Sequence, residues 1–149
     1  MKQTPLFGSS AAGKHFDIIA NIDGGARGNP GPAAYGVVVR DSQGNVIVEL
    51  KDYLGLQTNN VAEYSGLLAA LDYAARAQYQ SIKIFSDSEL LVRQMQGRYK
   101  VSSPGLKPLF DKAQLLVQKF HVFAIEHVLR EKNKDADRLV NQVLDSRRP

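Results

Sequence analysis

The chain contains no cysteine, only three histidines, and no apolar run long enough to cross a bilayer. Without cysteine, disulfides, thiolate zinc sites and cysteine nucleophiles are all excluded. With no well-placed histidine trio, any metal site must be built from hard oxygen ligands, which favours magnesium or manganese over zinc or copper. Met1 to His15 is polar and rich in serine, glycine and alanine, and lacks the apolar core of a signal peptide. The expectation is a soluble, cytoplasmic protein with no membrane partner. What is present reads as ordinary globular composition. The 149 residues fit one domain able to bury a core, and 44% apolar with 23% charged residues argues against wholesale disorder. A net charge of +4 suits a nucleic-acid partner but does not require one, because solvated lysine faces give the same number.

The most informative stretch is Ile22-Asp23-Gly24-Gly25-Ala26-Arg27-Gly28-Asn29-Pro30-Gly31-Pro32. A strand-like run, Phe16 to Ile22, delivers a carboxylate into a turn of glycines and prolines. Glycines allow close backbone approach to a bulky anion, and prolines stiffen the turn. Such a turn suggests a metal-assisted site facing a phosphate-bearing substrate; a tight hairpin with a solvated aspartate is the plainer alternative. A decoy precedes it. Gly8-Ser9-Ser10-Ala11-Ala12-Gly13-Lys14-His15 nearly matches a Walker A loop, but His15 replaces the required hydroxyl and no strand leads into Gly8.

In chain order, residues 1–15 read as a flexible tail. Strands are predicted at Phe16 to Ile22, Tyr35 to Arg40 and Val46 to Tyr53, joined by short turns as an antiparallel meander. From Asn60 to Arg76 the period changes: Val61, Tyr64, Leu67, Leu68, Leu71 and Ala75 recur at helical steps behind the capping residues Thr58, Asn59 and Asn60. Ser81 to Ser86 is a fourth strand, Ser88 to Gln96 a helix stopped by Gly97, Leu106 to Phe120 a helix, Val122 to Val128 a fifth strand, and Asn133 to Asp145 a final helix. The expected fold is α/β: a five-stranded mixed sheet, three antiparallel strands followed by parallel additions, with helices on both faces. One domain spans residues 16–146, with 147–149 as a C-terminal tail.

Four carboxylates fall at element ends. Asp23 and Asp87 follow predicted strands, at the edge where open α/β sheets bind ligands. Glu63 and Asp137 lie in the first turns of predicted helices. Singly, each has a plain explanation: Glu63 and Asp137 offset a helix dipole, and Asp87 caps a helix. One shared site explains all four together. Clustered carboxylates repel unless a cation sits among them. Two divalent ions about 4 Å apart would suit phosphodiester cleavage.

The blocks Asp23 to Gly31, Thr58-Asn59-Asn60-Val61-Ala62-Glu63, Ser86-Asp87-Ser88 and Asn133-Lys134-Asp135-Ala136-Asp137 closely resemble type 1 ribonuclease H in order and spacing. The resemblance runs from about Phe16 to Asp145 and matches that fold's element order. It implies that Asp23, Glu63, Asp87 and Asp137 are the catalytic residues and hold two Mg2+ ions, with Mn2+ as a substitute. It further implies endonucleolytic hydrolysis of the RNA strand of an RNA–DNA hybrid, giving 5′-phosphate and 3′-hydroxyl ends, by a monomer. Gly24, Arg27, Gly28, Asn29, Thr58, Asn59 and Asn60 match substrate-side positions, although cap and turn chemistry also accounts for the asparagines. Glu89 stands where the family often has glutamine, and as a carboxylate it can only accept hydrogen bonds.

The chain also departs from the family. Gly97 to Pro108 is too short for the basic protrusion of many relatives, and with fifteen residues before the first strand no separate hybrid-binding domain is expected. An ungapped alignment puts His127 at the family's catalytic histidine. A gapped one, preferred here, makes His127 a strand residue and brings Arg130 and Glu131 near the metals as accessory groups. Two alternatives remain: a silent binder on the same fold, and another nuclease of the superfamily.

Overall fold

A computed structural model describes residues 15–147 of the chain. The Walker-like stretch and the N-terminal tail, His15 apart, lie outside the described residues, as do residues 148 and 149. The elements run β1 (Ile18–Ala26), β2 (Gly31–Asp41), β3 (Val46–Gln57), α1 (Asn59–Arg76), β4 (Ser81–Ser86), α2 (Glu89–Met95), α3 (Lys107–Val117), β5 (Val122–His127) and α4 (Lys134–Ser146), with a 3-10 turn at Arg130–Lys132 before α4. The strands form one sheet in the order β3-β2-β1-β4-β5. The β3-β2-β1 half is antiparallel, and β4 and β5 add in parallel to β1. Among the described residues no helix is long and apolar enough to cross a membrane.

Alternation along the central strand assigns the two faces. Ile18, Ala20 and Ile22 of β1 join Val37 and Val39 of β2 in the main core beneath α1. The opposite face carries a small cluster, Ala34 with Val140 and Leu144, that seats α4. The apolar stripe predicted for α1 is rotated in the fold. Its fully buried edge includes the small residues Ala62, Gly66, Ala70 and Ala74, whereas Val61, Leu68 and Ala75 are only partly buried. Small residues at four-residue spacing let a helix axis come close to a sheet, so the closest contact is made where side chains are least conspicuous in sequence.

Two glycines set the helix heights. A Cβ on Gly24 would lie 2.3 Å from the Ala62 carbonyl carbon in α1. One on Gly36 would lie 2.6 Å from the Ala136 oxygen in α4. Each helix therefore rests directly on strand backbone, one on each face.

Several sequence boundaries shift. β1 does not end at Ile22: its antiparallel ladder with β2 continues to Ala26–Ala33, although its parallel ladder with β4 stops at Ile22–Ser86. β2 and β3 likewise run beyond their predicted spans, and the turn contracts to residues 27–30. The second helix is capped by Ser88, whose hydroxyl accepts from the Leu91 N–H at 3.2 Å, and not by Asp87. Glu63 falls in the second turn of α1, because Thr58 caps and the helix begins at Asn59. That places it beyond the strongest influence of the helix dipole.

Candidate active site

The end of the parallel ladder makes the site. Ile22 and Ser86 are the last paired residues of β1 and β4, so Asp23 and Asp87 are the next residues on neighbouring parallel strands. Asp23 lies opposite Gly36 in the β1–β2 ladder, and α4 crosses Gly36 near Ala136, which brings Asp137 to Asp23. On the other face, Gly24 lies against Ala62 and Glu63, which brings the Glu63 side chain to the same edge. Asp23, Glu63, Asp87 and Asp137 line one cavity of about 320 Å³, together with Gly24, Arg27, Asn59, Asn60 and Arg130.

The electrostatics are those of crowded acids. Burial pushes the Asp23 carboxyl up to about 8, with further upward pressure from the Asp87 charge and from the adjacent Asp137 carboxyl. Burial raises Glu63 to about 7; the Ser88 hydroxyl opposes this, Asp87 adds to it, and Arg130 draws it back. Asp23 is 9% exposed. Burial and the neighbouring carboxyls together favour the protonated form of Asp23. Among the described residues no three acidic or histidine side chains already form a closed ligand set. The donor chemistry nevertheless fits hard divalent cations: the cavity is lined by carboxylates and amides, without histidine.

The turn beside the site is tied to α1 by its asparagines. The Asn59 Oδ1 accepts from the Ala26 N–H at 2.8 Å, and the Asn29 Oδ1 accepts from the Asn59 N–H at 3.0 Å. Both side-chain oxygens are thus spent on architecture, and the amide NH2 groups remain as donors. Gly28 adopts φ +99°, a conformation costly for residues with a Cβ. Thr58 accepts from the Val61 N–H at 3.2 Å and serves as the helix cap.

Other sequence candidates are placed elsewhere. Glu89 is ion-paired with Arg93 one helical turn away and does not line the cavity. His127 is the exposed last residue of β5 and lies outside the cavity lining, whereas Arg130 belongs to it. Glu131 faces a different cavity with Arg40, Lys132 and Asp135. Arg27 spends its guanidinium on α4, with Nη1 2.8 Å from Asp145 and Nη2 donating to the Asn141 Oδ1 at 3.3 Å.

Sequence reasoning assigned no role to Asn133, Asn141 or Asp145. Asn133 is 1% exposed. Its Nδ2 donates to the Ile22 carbonyl at 2.8 Å, its Oδ1 accepts from Asn21 at 3.0 Å, and its backbone carbonyl accepts from the Asp137 N–H at 3.1 Å. It joins the strand before Asp23 to the helix bearing Asp137. Its one signal in the sequence is its place at the head of Asn133-Lys134-Asp135-Ala136-Asp137.

Comparison with known proteins agrees with this fold. Residues 21–143 match the family model described as Reverse transcriptase-like. The chain is 45% identical over 130 residues to Bifunctional protein Rv2228c of Mycobacterium tuberculosis, covering 87% of this chain and 36% of that protein. The solved N-terminal RNase H domain of that protein superposes with a TM-score of 0.85 over 88% of this chain and 95% of the domain chain, at 44% identity. Ribonuclease HI of Halobacterium salinarum is 40% identical over 128 residues, 86% of this chain and 64% of that protein. A third relative, LC11-RNase H1 solved in complex with an RNA/DNA hybrid, is 45% identical with a TM-score of 0.82, covering 87% of this chain and 97% of that one.

Proposed function

The chain belongs to the type 1 ribonuclease H family, and from that premise we propose that it is an endonuclease hydrolysing the RNA strand of RNA–DNA hybrids. What supports this reading is the gathering of four carboxylates, from both faces of the sheet, around one oxygen-lined cavity. Asp23, Glu63, Asp87 and Asp137 would hold two Mg2+ ions, with Mn2+ able to substitute. Such ions would lower the pKa of water and neutralise charge developing on the phosphate; the ends expected are a 5′-phosphate and a 3′-hydroxyl.

The chain's own groups do the rest. Burial raises the Asp23 and Glu63 carboxyls, with the Asp87 charge adding to both, so cation binding at these two groups would be linked to proton release. Arg130 brings a fixed positive charge to the cavity wall, suited to an anionic backbone. Asn60 lines the cavity, and the NH2 donors of Asn29 and Asn59 are unused by the turn, so these amides can read a 2′-hydroxyl or sugar oxygen. Gly24 and Gly28 keep the backbone low beside them, and Thr58 holds the start of α1. Glu89 and His127 take no part in this reading. All four carboxylates come from one chain, which is consistent with a monomer.

The test is cleavage of a labelled RNA–DNA hybrid beside matched RNA–RNA and DNA–DNA duplexes, each with magnesium and with a chelator. Metal-dependent cutting confined to the RNA of the hybrid is expected. Tight binding without cutting would favour a silent binder, and cutting of DNA would favour another nuclease class.

A further inference from the structure

Of the four carboxylates, Asp137 has its own exposed amide partner. Asn141, one turn further along α4, donates from Nδ2 to the Asp137 Oδ2 at 3.3 Å. Its Oδ1 accepts from Arg27 Nη2 at 3.3 Å, and Arg27 Nη1 reaches Asp145 at 2.8 Å. Arg27, Asp137 and Asn141 all line the same cavity.

The direction of this chain is forced by its ends. A guanidinium can only donate, and an ionised carboxylate can only accept. Asparagine between them must therefore turn its oxygen to Arg27 and its NH2 to Asp137. Aspartate at 141 would satisfy Arg27 and repel Asp137; lysine or arginine would satisfy Asp137 and repel Arg27. An amide also orients the carboxylate without placing a full positive charge against it, where that charge would compete with a bound cation.

We infer that Asn141 is a positioning residue for Asp137, and that Arg27 acts through Asn141 to hold its amide in the orientation that presents the Asp137 carboxylate to a divalent cation. The inference rests on the reading of Asp137 as a cation-holding group. It gives Arg27 a role within the protein, distinct from contact with the substrate backbone. Because guanidinium is a fork, one arm stays on Asp145 while the other holds Asn141; a lysine ammonium is a point charge on a flexible stem and cannot span both in the same way.

The experiment is a thermal-unfolding titration of the full chain with Mg2+, and separately with Mn2+, for the wild type, Asn141→Leu and Arg27→Lys. Hybrid-cleavage rates are measured over the same metal range. Partners that orient a metal ligand typically contribute about 10–100-fold in metal affinity. For Asn141→Leu the metal concentration giving half the maximal stabilisation should rise about tenfold, with the metal-free Tm unchanged and cleavage recovering at high metal. Arg27→Lys should shift that concentration in the same direction by a smaller factor. An unchanged metal midpoint in Asn141→Leu would overturn the inference, as would a lowered metal-free Tm with no shift in midpoint, which marks a purely structural contact. If the wild type gains no stability from either metal, the cation site itself is wrong and the inference falls with it; if it does gain, only the variants decide.

Discussion

The two faces of the sheet hold equivalent carboxylates by different physics. On one face, α1 carries Glu63 and buries Tyr64, Leu67 and Leu71 almost completely in the main core. Each such side chain contributes about 1.5–3 kcal/mol by burial, and salt does not screen it. On the other face, α4 carries Asp137 over a small cluster of Ala34, Val140 and Leu144, flanked by Tyr53 and Val143. Ala136 and Leu139 are buried against the strand at Gly36, and around this smaller apolar seat lie partly exposed polar ties: Arg27 to Asp145, Arg40 to Asp135 at 2.6 Å, Lys51 to Gln142 at 3.0 Å, and Arg147 stacked 4.2 Å over Tyr53. Exposed pairs of this kind contribute about 0–1 kcal/mol each and weaken with ionic strength. One wall of the site is fixed by the core. The other adds, to a smaller apolar seat, contacts that salt can loosen.

Asp23 belongs to both walls, so its removal should have the largest effect. Asp23→Asn is expected to lower hybrid cleavage by about 10³-fold or more, since several kcal/mol of charge stabilisation pass through the carboxylate set. The same substitution should stabilise the metal-free protein at alkaline pH. Asp23 and Glu63 are raised from 3.8 and 4.5 to about 8 and about 7. A folded-state value above the unfolded one means stability is fully present below about pH 4 and is lost as pH rises through 7 to 8. In chelator at pH 9, Asp23→Asn should therefore melt about 3–8 °C above wild type, with the gain disappearing by pH 4. A variant less stable than wild type at pH 9 would mean the carboxylate is not the strained group it is taken to be.

The two glycines test the faces directly. Gly24→Ala drives a Cβ to 2.3 Å from α1 backbone, against a helix anchored in the core. Gly36→Ala drives one to 2.6 Å from α4 backbone and 2.7 Å from the Leu139 Cβ. Both overpack, but α4 has softer ties and can move outward. Gly24→Ala should cost about 3 kcal/mol or more, and Gly36→Ala about 1–2 kcal/mol with a disproportionate fall in cleavage as Asp137 moves away. Equal losses of stability in denaturant titrations would remove the distinction between the faces.

This asymmetry also explains what could be read in advance. The five strands, the four helices and the mixed sheet follow from period and turn chemistry, because hydrophobic alternation is a local signal. That the four carboxylates meet in one cavity was legible because each lies near an element end and a shared site accounts for all four at once. The placing of His127 on a strand was legible too, since Glu126-His127-Val128 reads as strand, and β5 ends at His127 while Arg130 lines the cavity. The extension of β1 past Asp23 was not, because it depends on β2 continuing to pair with a run of glycines that has weak strand propensity. Nor were the second roles of Arg27 and Asn141, or Asn133 as a buried bridge. Those depend on contacts more than a hundred residues apart in the chain, and nothing in the local sequence of a polar residue states its distant partner.

The smallest effect expected is the most specific to the looser wall. Arg40 pairs with Asp135 in the first turn of α4 and donates to Asn21 at 3.5 Å, so it reaches both the helix start and the polar bridge beneath it. Arg40→Ala should lower global stability by only about 1 kcal/mol. The local consequence should exceed the global one, since α4 draws less of its anchorage from buried apolar side chains. In native-state hydrogen exchange, amides of α4 should exchange faster in the variant while those of α1 keep wild-type protection. Raising the salt on the wild-type chain from about 0.05 M to about 0.5 M should reproduce part of that pattern, because screening weakens the same pairs. If α1 and α4 lose protection together in both experiments, the two walls open as one unit, and the site's geometry is set by the core alone.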